Sequence, residues 1–208
     1  MSDGGYDIGY RACDCFWGTE PGSLVVKLCE IVPTFEGMTV LDAGCGEGKN
    51  AVFLATKGAS VDAFDISDVA ISHARKLSAA CNLHRLRFAI GDARDLVLPT
   101  NHFHLVVAYG LFHCFRSSLE ISNTCGKLQA AIRAGGYFIV CAFNDRRQDL
   151  LAHPGFAPTA LPHEEYGRLF NGWEILEFTD TDLTETHPHN AIRHTHSMTR
   201  LIARKPQE

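Results

Sequence analysis

The amino-acid sequence predicts an α/β protein with a doubly wound, mostly parallel sheet of seven strands whose last strand is antiparallel. Three observations support this fold class. Short apolar segments alternate with amphipathic segments between residues 38 and 143, a pattern that builds a parallel sheet with helices on both faces. A glycine-rich turn joins the first apolar segment to the helix after it. Two extended segments, 173–183 and 192–203, close the chain and predict an antiparallel pair at the sheet edge.

The apolar runs set the expected bounds of each element. Parallel strands are predicted at 38–42, 60–65, 85–90, 105–109 and 137–143. Helices are predicted from Glu20 or Pro21 to Ile31, at 48–57, after Ser67, at 118–134 and at 162–170. Ser67 is a good N-cap for its helix, which is expected to bury Ala70, Ala74, Leu77 and Cys81. Gly135 and Gly136 should end the helix that precedes them, and residues 145–161 are predicted to be a loop.

The composition argues against several functional classes. The chain has 208 residues, of which 46% are hydrophobic and 21% charged, as in globular proteins with a substantial core. A net charge of −5 and a pI near 6.1 argue against a nucleic-acid partner. We also expect no membrane span and no secretory signal, because no apolar run of suitable length occurs. Eight scattered cysteines favour reduced thiols and a cytoplasmic location.

The turn between the first strand and its helix is the most informative segment. Gly44, Gly46 and Gly48 allow a sharp turn and let a ligand approach bare backbone amides, at the positive end of a helix. The spacing G-x-G-x-G differs from the G-x-G-x-x-G of dinucleotide sites and from a phosphate loop. Asp42 just before the turn would repel a pyrophosphate and suit a cation. These features indicate S-adenosylmethionine, which is cationic and carries no phosphate.

Two further carboxylates end predicted strands. Asp65 lies about 20 residues after the turn, where a carboxylate accepts ribose hydroxyls in other doubly wound nucleotide sites. Asp92 follows the third strand and could accept the adenine amino group, while the Ala93 amide could donate to the ring. Because parallel strands end at one rim of the sheet, we expect these residues to lie together.

These motifs together resemble the class I S-adenosylmethionine-dependent methyltransferases. The matching segments occur in the order and at the spacing of that family, over residues 36–143: VLDAGCGEGKNAVFLA, VDAFDIS, GDARDL, FHLVVAYGLFHCF and AGGYFIV. Within the family, FWGTEPG and HSMTRLIARK resemble the small tellurite-resistance and thiopurine-type methyltransferases. The resemblance implies a Rossmann-like sheet, S-adenosylmethionine as methyl donor with S-adenosylhomocysteine as product, and a small-molecule acceptor.

The resemblance also implies an organisation and a set of site residues. We expect one domain over residues 1–208, in which 1–35 form an arm and lid, 36–143 the cofactor-binding core, and 144–208 the substrate side. The expected cofactor-binding residues are Trp17, Asp42, Gly44, Cys45, Gly46, Asn50, Asp65, Ile66, Asp92, Ala93 and Tyr109. His113 and Tyr109 follow the fourth strand and are the candidate catalytic residues, since a histidine can orient or deprotonate an acceptor near neutral pH. A packing role for His113, and a turn-holding role for Asp42, stay open.

Four histidines near the end of the chain form an unusual group. His187, His189, His194 and His196 pair at alternate positions, so each pair shares a strand face. This spacing is compatible with a metal site, yet no closely spaced carboxylate or cysteine motif accompanies it, so we expect no metal. The family resemblance implies that these histidines line the pocket, and the choice between the two roles stays open. Cys13 and Cys15 have a spacing that is unusual for zinc, and we expect reduced thiols.

Several alternatives remain from sequence alone. A nicotinamide-dependent oxidoreductase is the rival enzyme class, although the glycine spacing and the antiparallel ending disfavour it. A protein that binds S-adenosylmethionine without methyl transfer is the non-enzymatic rival. The acceptor atom could be nitrogen, oxygen, or sulfur, selenium or tellurium. The chain could act as a monomer or a homodimer, with no nucleic-acid or membrane partner expected.

Overall fold

A seven-stranded mixed sheet forms the centre of the fold. The computed structural model describes residues 5–79, 81, 83–153, 155–187 and 191–207. The strand order is β3-β2-β1-β4-β5-β7-β6. The strands are β1 (Thr39–Ala43), β2 (Ser60–Asp65), β3 (Leu86–Ile90), β4 (Phe103–Tyr109), β5 (Ile132–Gln148), β6 (Glu174–Glu185) and β7 (His194–Arg204). The first five strands pair in parallel, and β7 is antiparallel to both of its neighbours. The predicted fold class is confirmed.

Six α-helices and a single 3₁₀ turn surround this sheet in the described part of the chain. The helices are α1 (Tyr6–Ala12), α2 (Ser23–Ile31), α3 (Lys49–Thr56), α4 (Asp68–Ala79), α5 (Ser118–Ala131) and α6 (His163–Arg168), and the 3₁₀ turn is Phe112–Cys114. Ser67 caps α4 as predicted, because its Oγ accepts from the Ala70 amide at 3.0 Å. Among the described residues, every helix is too short or too polar to cross a membrane.

The two faces of the sheet each carry an apolar core. Along β1, Val40 packs with Leu28 and Leu54 beneath α2 and α3, whereas Leu41 packs on the α5 side. This alternation is the period of two that a strand imposes on its side chains. Because helices cover both faces of the sheet, the sequences of the central strands are nearly continuous apolar runs. The polar residues that follow these strands therefore stand out at the rim of the sheet.

Four local predictions were wrong. Residues 6–12 form α1 where no helix was predicted, because packing of Tyr10 on Phe16 and Ala70 compensates for weak periodicity. α5 ends at Ala131, before the two glycines, because Ile132 already pairs with Phe103 in the sheet. β5 runs on to Gln148, into the predicted loop, and pairs there with His196. Cys81 is exposed because α4 has ended at Ala79.

Candidate active site

The ends of the parallel strands open onto a cavity of about 570 Å³, a size typical of small-molecule sites. All of the predicted site residues except Asp42 line it: Trp17, Gly44, Cys45, Gly46, Asn50, Asp65, Ile66, Asp92, Ala93, Tyr109 and His113. The wall also includes residues that the sequence did not single out: Tyr6, Tyr10, Lys49, Glu185 and Arg200. The structure thus brings residues from both ends of the chain to one place.

The glycine turn has the open geometry expected of a ligand cradle. Gly44 and Gly46 have φ angles of +70° and +52°, in the left-handed region that favours glycine. A Cβ on Gly44 would lie 2.9 Å from Leu111 Cδ1, and one on Gly46 would lie 3.0 Å from Tyr10 Oη. Side chains at these two positions would therefore be strained and would crowd the cavity wall.

Asp65 connects the turn to the end of β2. Its Oδ2 accepts from the Gly46 amide at 2.8 Å, and its Oδ1 accepts from the Ser67 amide at 2.9 Å. Burial raises the pKa of this carboxyl, and the two amide hydrogen bonds partly offset that rise. A carboxylate offers about four lone-pair positions, so Asp65 can hold the turn and still accept from a ligand hydroxyl.

Asp42 is not on the cavity wall. In β1 it lies on the same face as Val40, and its side chain turns toward α3. Only 1% of Asp42 is exposed. Its carboxylate oxygens have no hydrogen-bond partner among the described residues, although the Ala51 amide of α3 is near enough to lower the pKa of Asp42 slightly. Burial, followed by the charge of Asp65, raises the pKa of Asp42 to about 7. The structure therefore places this carboxylate behind the turn.

Asp92 is already paired with a neighbouring arginine. Arg94 Nε lies 2.9 Å from Asp92 Oδ1 and 3.1 Å from Oδ2. These hydrogen bonds lower the pKa of Asp92, so the carboxylate is ionised at neutral pH. Arg94 also lies on the cavity wall, which makes the pair, rather than Asp92 alone, the polar feature at the end of β3.

The N-terminal segment lies over the glycine turn and is fastened to it. The Cys15 amide donates to Glu47 Oε1 at 2.9 Å, and Lys49 Nζ donates to the Trp17 carbonyl at 2.9 Å. Trp17 Nε1 donates to Tyr10 Oη at 3.2 Å. The predicted arm therefore contacts the glycine turn and supplies aromatic groups to the cavity.

His113 is a neutral histidine with both ring nitrogens engaged. The Phe143 amide donates to Nδ1 at 3.1 Å, so Nδ1 carries no proton and Nε2 carries it. Nε2 lies 3.1 Å from Tyr6 Oη, to which it can donate. Burial, with smaller contributions from His196 and His153, lowers the pKa of His113 to about 3. In this arrangement the imidazole has no free lone pair with which to take a proton.

Tyr109 and Asn50 both border residue 22, at the start of α2. The Gly22 amide donates to Asn50 Oδ1 at 2.8 Å, and a Cβ on Gly22 would lie 2.4 Å from the Tyr109 ring. Burial raises the pKa of Tyr109, and the hydroxyl interacts with the Ser23 side chain. The phenol is therefore protonated at neutral pH, and both residues are held against the start of α2.

Comparison with known proteins identifies the core of this structure. Residues 40–136 match a family model described as a methyltransferase domain, and this segment contains the glycine turn, Asp65, Asp92 and His113. Residues 40–136, just under half of the chain, therefore form a methyltransferase domain. The family resemblance seen in the sequence is thereby confirmed.

Curated relatives of this methyltransferase domain have diverse names. Hemagglutinin 1 of Eikenella corrodens is 28% identical over 73% of this chain and 49% of its own length. The 2-heptyl-1-hydroxyquinolin-4(1H)-one methyltransferase of Mycobacteroides abscessus is 31% identical over 50% of this chain and 46% of its own. The S-adenosyl-L-methionine-dependent Diels-Alderase iliD of Neonectria sp. is 34% identical over 35% of this chain and 32% of its own. The chain thus spans half or less of the length of these relatives.

Solved structures extend the similarity to nearly the whole chain. One, described as "Conversion of a Disulfide Bond into a Thioacetal Group during Echinomycin Biosynthesis", is 26% identical with a TM-score of 0.74, covering 97% of this chain and 91% of that one. TehB from Haemophilus influenzae is 22% identical with a TM-score of 0.75, covering 88% of this chain and 62% of that one. The latter similarity supports the fold.

A group of histidines lies near this cavity, outside the segment that matches the methyltransferase domain. His187, His194 and His196 lie together with His153, which the sequence did not single out; His189 lies outside the described residues. Cys13 and Cys15 are half-buried free thiols whose pKa values are raised, first by burial. The raised values disfavour a thiolate at either position.

Proposed function

We propose that the protein transfers a methyl group from S-adenosylmethionine to a small-molecule acceptor. The observation that carries this proposal is that the glycine turn and Asp65 share one cavity with Tyr6, Glu185 and Arg200. One side has the residue types that hold an adenosyl cofactor. The other side comes from the lid and the last two strands, which lie outside the matched domain segment and can determine the acceptor.

The residues of the first side fit S-adenosylmethionine. Asp65 would accept from the ribose hydroxyls, the Asp92–Ala93 segment would hold adenine, and the Gly44–Gly46 turn with Asn50 would hold the amino-acid part. Trp17, Cys45, Ile66 and Tyr109 would complete this half of the wall. The carboxyl of Asp65 on the cavity wall and that of Asp42 behind the glycine turn would, when ionised, give the site a negative potential that favours a cationic ligand. When bound, the cofactor supplies an electrophilic methyl group on a positively charged sulfur.

The acceptor side of the cavity contains cationic side chains and protonated phenols. His113 has no free lone pair there with which to take a proton from an acceptor. We infer an acceptor that loses its proton in water or needs none removed, such as a thiol, a selenol or an acidic hydroxyl. On the same wall, Arg200 would pair with a negatively charged group of the acceptor, and Glu185 with a positively charged one. In this proposal His113 is a positioning residue, because its Nε2–H holds the Tyr6 hydroxyl at the cavity wall. The lid would position the acceptor in line with the sulfur–carbon bond and keep water out.

The first experiment compares cofactors by thermal unfolding. S-adenosylmethionine or S-adenosylhomocysteine at about 100 times its Kd should stabilise the protein by about 2.7 kcal/mol, whereas NADH should leave the midpoint unchanged. Stabilisation by NADH alone would instead support the nicotinamide oxidoreductase alternative.

The second experiment measures turnover. Methyl-labelled cofactor would be incubated with a panel of small thiols, acidic phenols, amines, and selenium and tellurium oxyanions. The proposal predicts label transfer with formation of S-adenosylhomocysteine for at least one thiol, selenium or acidic hydroxyl acceptor. Transfer only to aliphatic amines would contradict the inferred acceptor class.

A second candidate function is favoured by one relative. The Diels-Alderase iliD, 34% identical over 77 residues, is named as S-adenosylmethionine-dependent although a Diels–Alder reaction transfers no methyl group. Tight binding of S-adenosylmethionine without S-adenosylhomocysteine formation across the acceptor panel would favour such a role here. We also propose a cytoplasmic location, supported by eight free cysteines.

A further inference from the structure

Four histidines and one carboxylate meet where β6 and β7 approach the loop after β5. We refer to His153, His187, His194, His196 and Glu185 as the histidine cluster. His187, His194 and His196 are buried, with 3%, 1% and 0% of their surface exposed. The Phe16 ring from the N-terminal segment stacks on His187 at 4.6 Å. The cluster is therefore enclosed beneath the lid, and Glu185 connects it to the cavity wall.

The distances in the cluster are those of ligands around one ion. His153 Nε2 lies 3.1 Å from His194 Nε2 and 3.1 Å from His187 Nε2. Tetrahedral zinc with Zn–N bonds of 2.0–2.1 Å separates its nitrogen ligands by about 3.3 Å. Glu185 Oε1 lies 3.7 Å from His194 Nε2 and 4.0 Å from His187 Nε2, so a small movement would bring it into the same sphere.

Two of the histidines have their other ring nitrogen fixed by a carbonyl oxygen. His194 Nδ1 lies 2.8 Å from the Ile192 carbonyl oxygen, and His196 Nδ1 lies 2.8 Å from Gln148 Oε1. Gln148 Nε2 donates to the Asn144 and Ser197 carbonyls, which fixes the amide so that Oε1 accepts. Both imidazoles thus carry their proton on Nδ1 and present an unprotonated Nε2. Metal-binding histidines in proteins are held in this way.

One of these nitrogens has nothing to bind in the described part of the chain. His196 Nε2 is fully buried and has no hydrogen-bond partner among the described residues. Buried polar atoms without a partner are rare in folded proteins. The ligand atoms of His153, His194 and His196 all lie within 4.8 Å of one another. A single proton can form a hydrogen bond between only one pair of nitrogens, whereas a metal cation can coordinate several nitrogens at once.

We propose that the histidine cluster binds one divalent first-row transition ion. Nε2 of His153, His187 and His194 would be the ligands, and Glu185 or His196 would complete the sphere. Imidazoles with a carboxylate suit zinc, iron, nickel or copper rather than magnesium or calcium. Binding would release the proton shared between the imidazoles. This site is distinct from the cofactor side of the cavity, and the proposal does not depend on methyl transfer.

Metal binding can be measured directly on the full chain. Protein freed of metal with a chelator would be titrated with Zn²⁺ in competition with a chromogenic chelator, and separately with Co²⁺. The proposal predicts one ion per chain and the intense visible absorption of tetrahedral Co²⁺. His194→Ala and His187→Asn should each weaken Zn²⁺ binding at least about 100-fold, the upper end of the effect of losing a supporting residue. His84→Ala, which removes an exposed histidine, should bind as the unmodified protein does.

Two outcomes would overturn the proposal. One is the absence of the Co²⁺ absorption in the unmodified protein, which needs no variant for its interpretation. The other is Zn²⁺ affinity that is unchanged in a cluster variant whose circular dichroism shows it folded. Calorimetry with S-adenosylhomocysteine on the same samples reports on the cofactor site separately, so failure of the metal proposal and failure of the proposed function are distinguishable.

Discussion

Replacing Asp65 by alanine tests the cofactor side of the cavity. Asp65 accepts from the Gly46 and Ser67 amides at 2.8 and 2.9 Å and lines the cavity. Asp65→Ala removes the proposed acceptor of the ribose hydroxyls and also frees two backbone amides. Two consequences should therefore appear, one in ligand affinity and one in stability.

The magnitudes follow from the kind of hydrogen bond lost. A hydrogen bond to a charged group contributes about 1.5–3 kcal/mol. If one such bond to the ribose is lost, Kd for S-adenosylhomocysteine should rise about 10- to 150-fold. Loss of the partner of each amide should lower the free energy of unfolding by about 1–3 kcal/mol. The net loss of stability should be smaller, because burial of this carboxylate is itself unfavourable, as the raised pKa of Asp65 shows.

Calorimetry with S-adenosylhomocysteine would measure the affinity, and urea unfolding would measure the stability of the same samples. Asp62→Ala is the matched control: Asp62 lies on the same strand but pairs with the exposed Arg87 at 2.7 Å, so Kd should not change. An unchanged Kd in Asp65→Ala would remove this residue from the cofactor site. An equal rise in Asp62→Ala would show that the loss is not specific to Asp65.

Four other substitutions test separate parts of the account. Gly44→Ala should cost about 1–3 kcal/mol of strain at its positive φ, and its methyl group should crowd Leu111 and weaken cofactor binding. Gly126→Ala, which has open space around it in α5, should instead stabilise the protein by about 0.5–1 kcal/mol. Urea unfolding measures both changes in stability. Ser67→Ala removes the cap on the Ala70 amide, so the free energy of unfolding should fall by about 1 kcal/mol. This loss would appear as a lower urea midpoint. Folding raises the pKa of Asp42 from 3.8 to about 7, so its stabilising contribution of about 4 kcal/mol is complete below pH 3.8 and is lost as pH rises through 7. Asp42→Asn should flatten the fall in unfolding free energy between those values, and an unchanged slope would contradict the assignment.

The meeting of the glycine turn, Asp65 and Asp92 at one cavity could be predicted because the signals are local. Asp65 and Asp92 each follow a strand, Gly44 and Gly46 sit in one short turn, and parallel strands end at a common rim. No long-range information was needed to place these residues together. Asp42 shows the limit of this reasoning, because its position in β1 directs the side chain toward α3 and away from the cavity.

The acceptor side could not be predicted because it depends on tertiary contacts. Tyr6 lies on a seven-residue helix held by packing against other elements. Glu185 and Arg200 reach the cavity only through the register of β6, β7 and β5, which the sequence does not specify. His153 lies in a segment without periodicity, 41 residues from His194. No local pattern could have joined these residues into one site.

A crystal structure with bound S-adenosylhomocysteine tests the central claim most directly. The account predicts the ribose on Asp65, the adenine beside Asp92 and Ala93, the amino-acid part at the Gly44–Gly46 turn, and the sulfur facing the Tyr109 side of the cavity. A ligand bound elsewhere on the protein, or a dinucleotide with its pyrophosphate on the glycine turn, would contradict it.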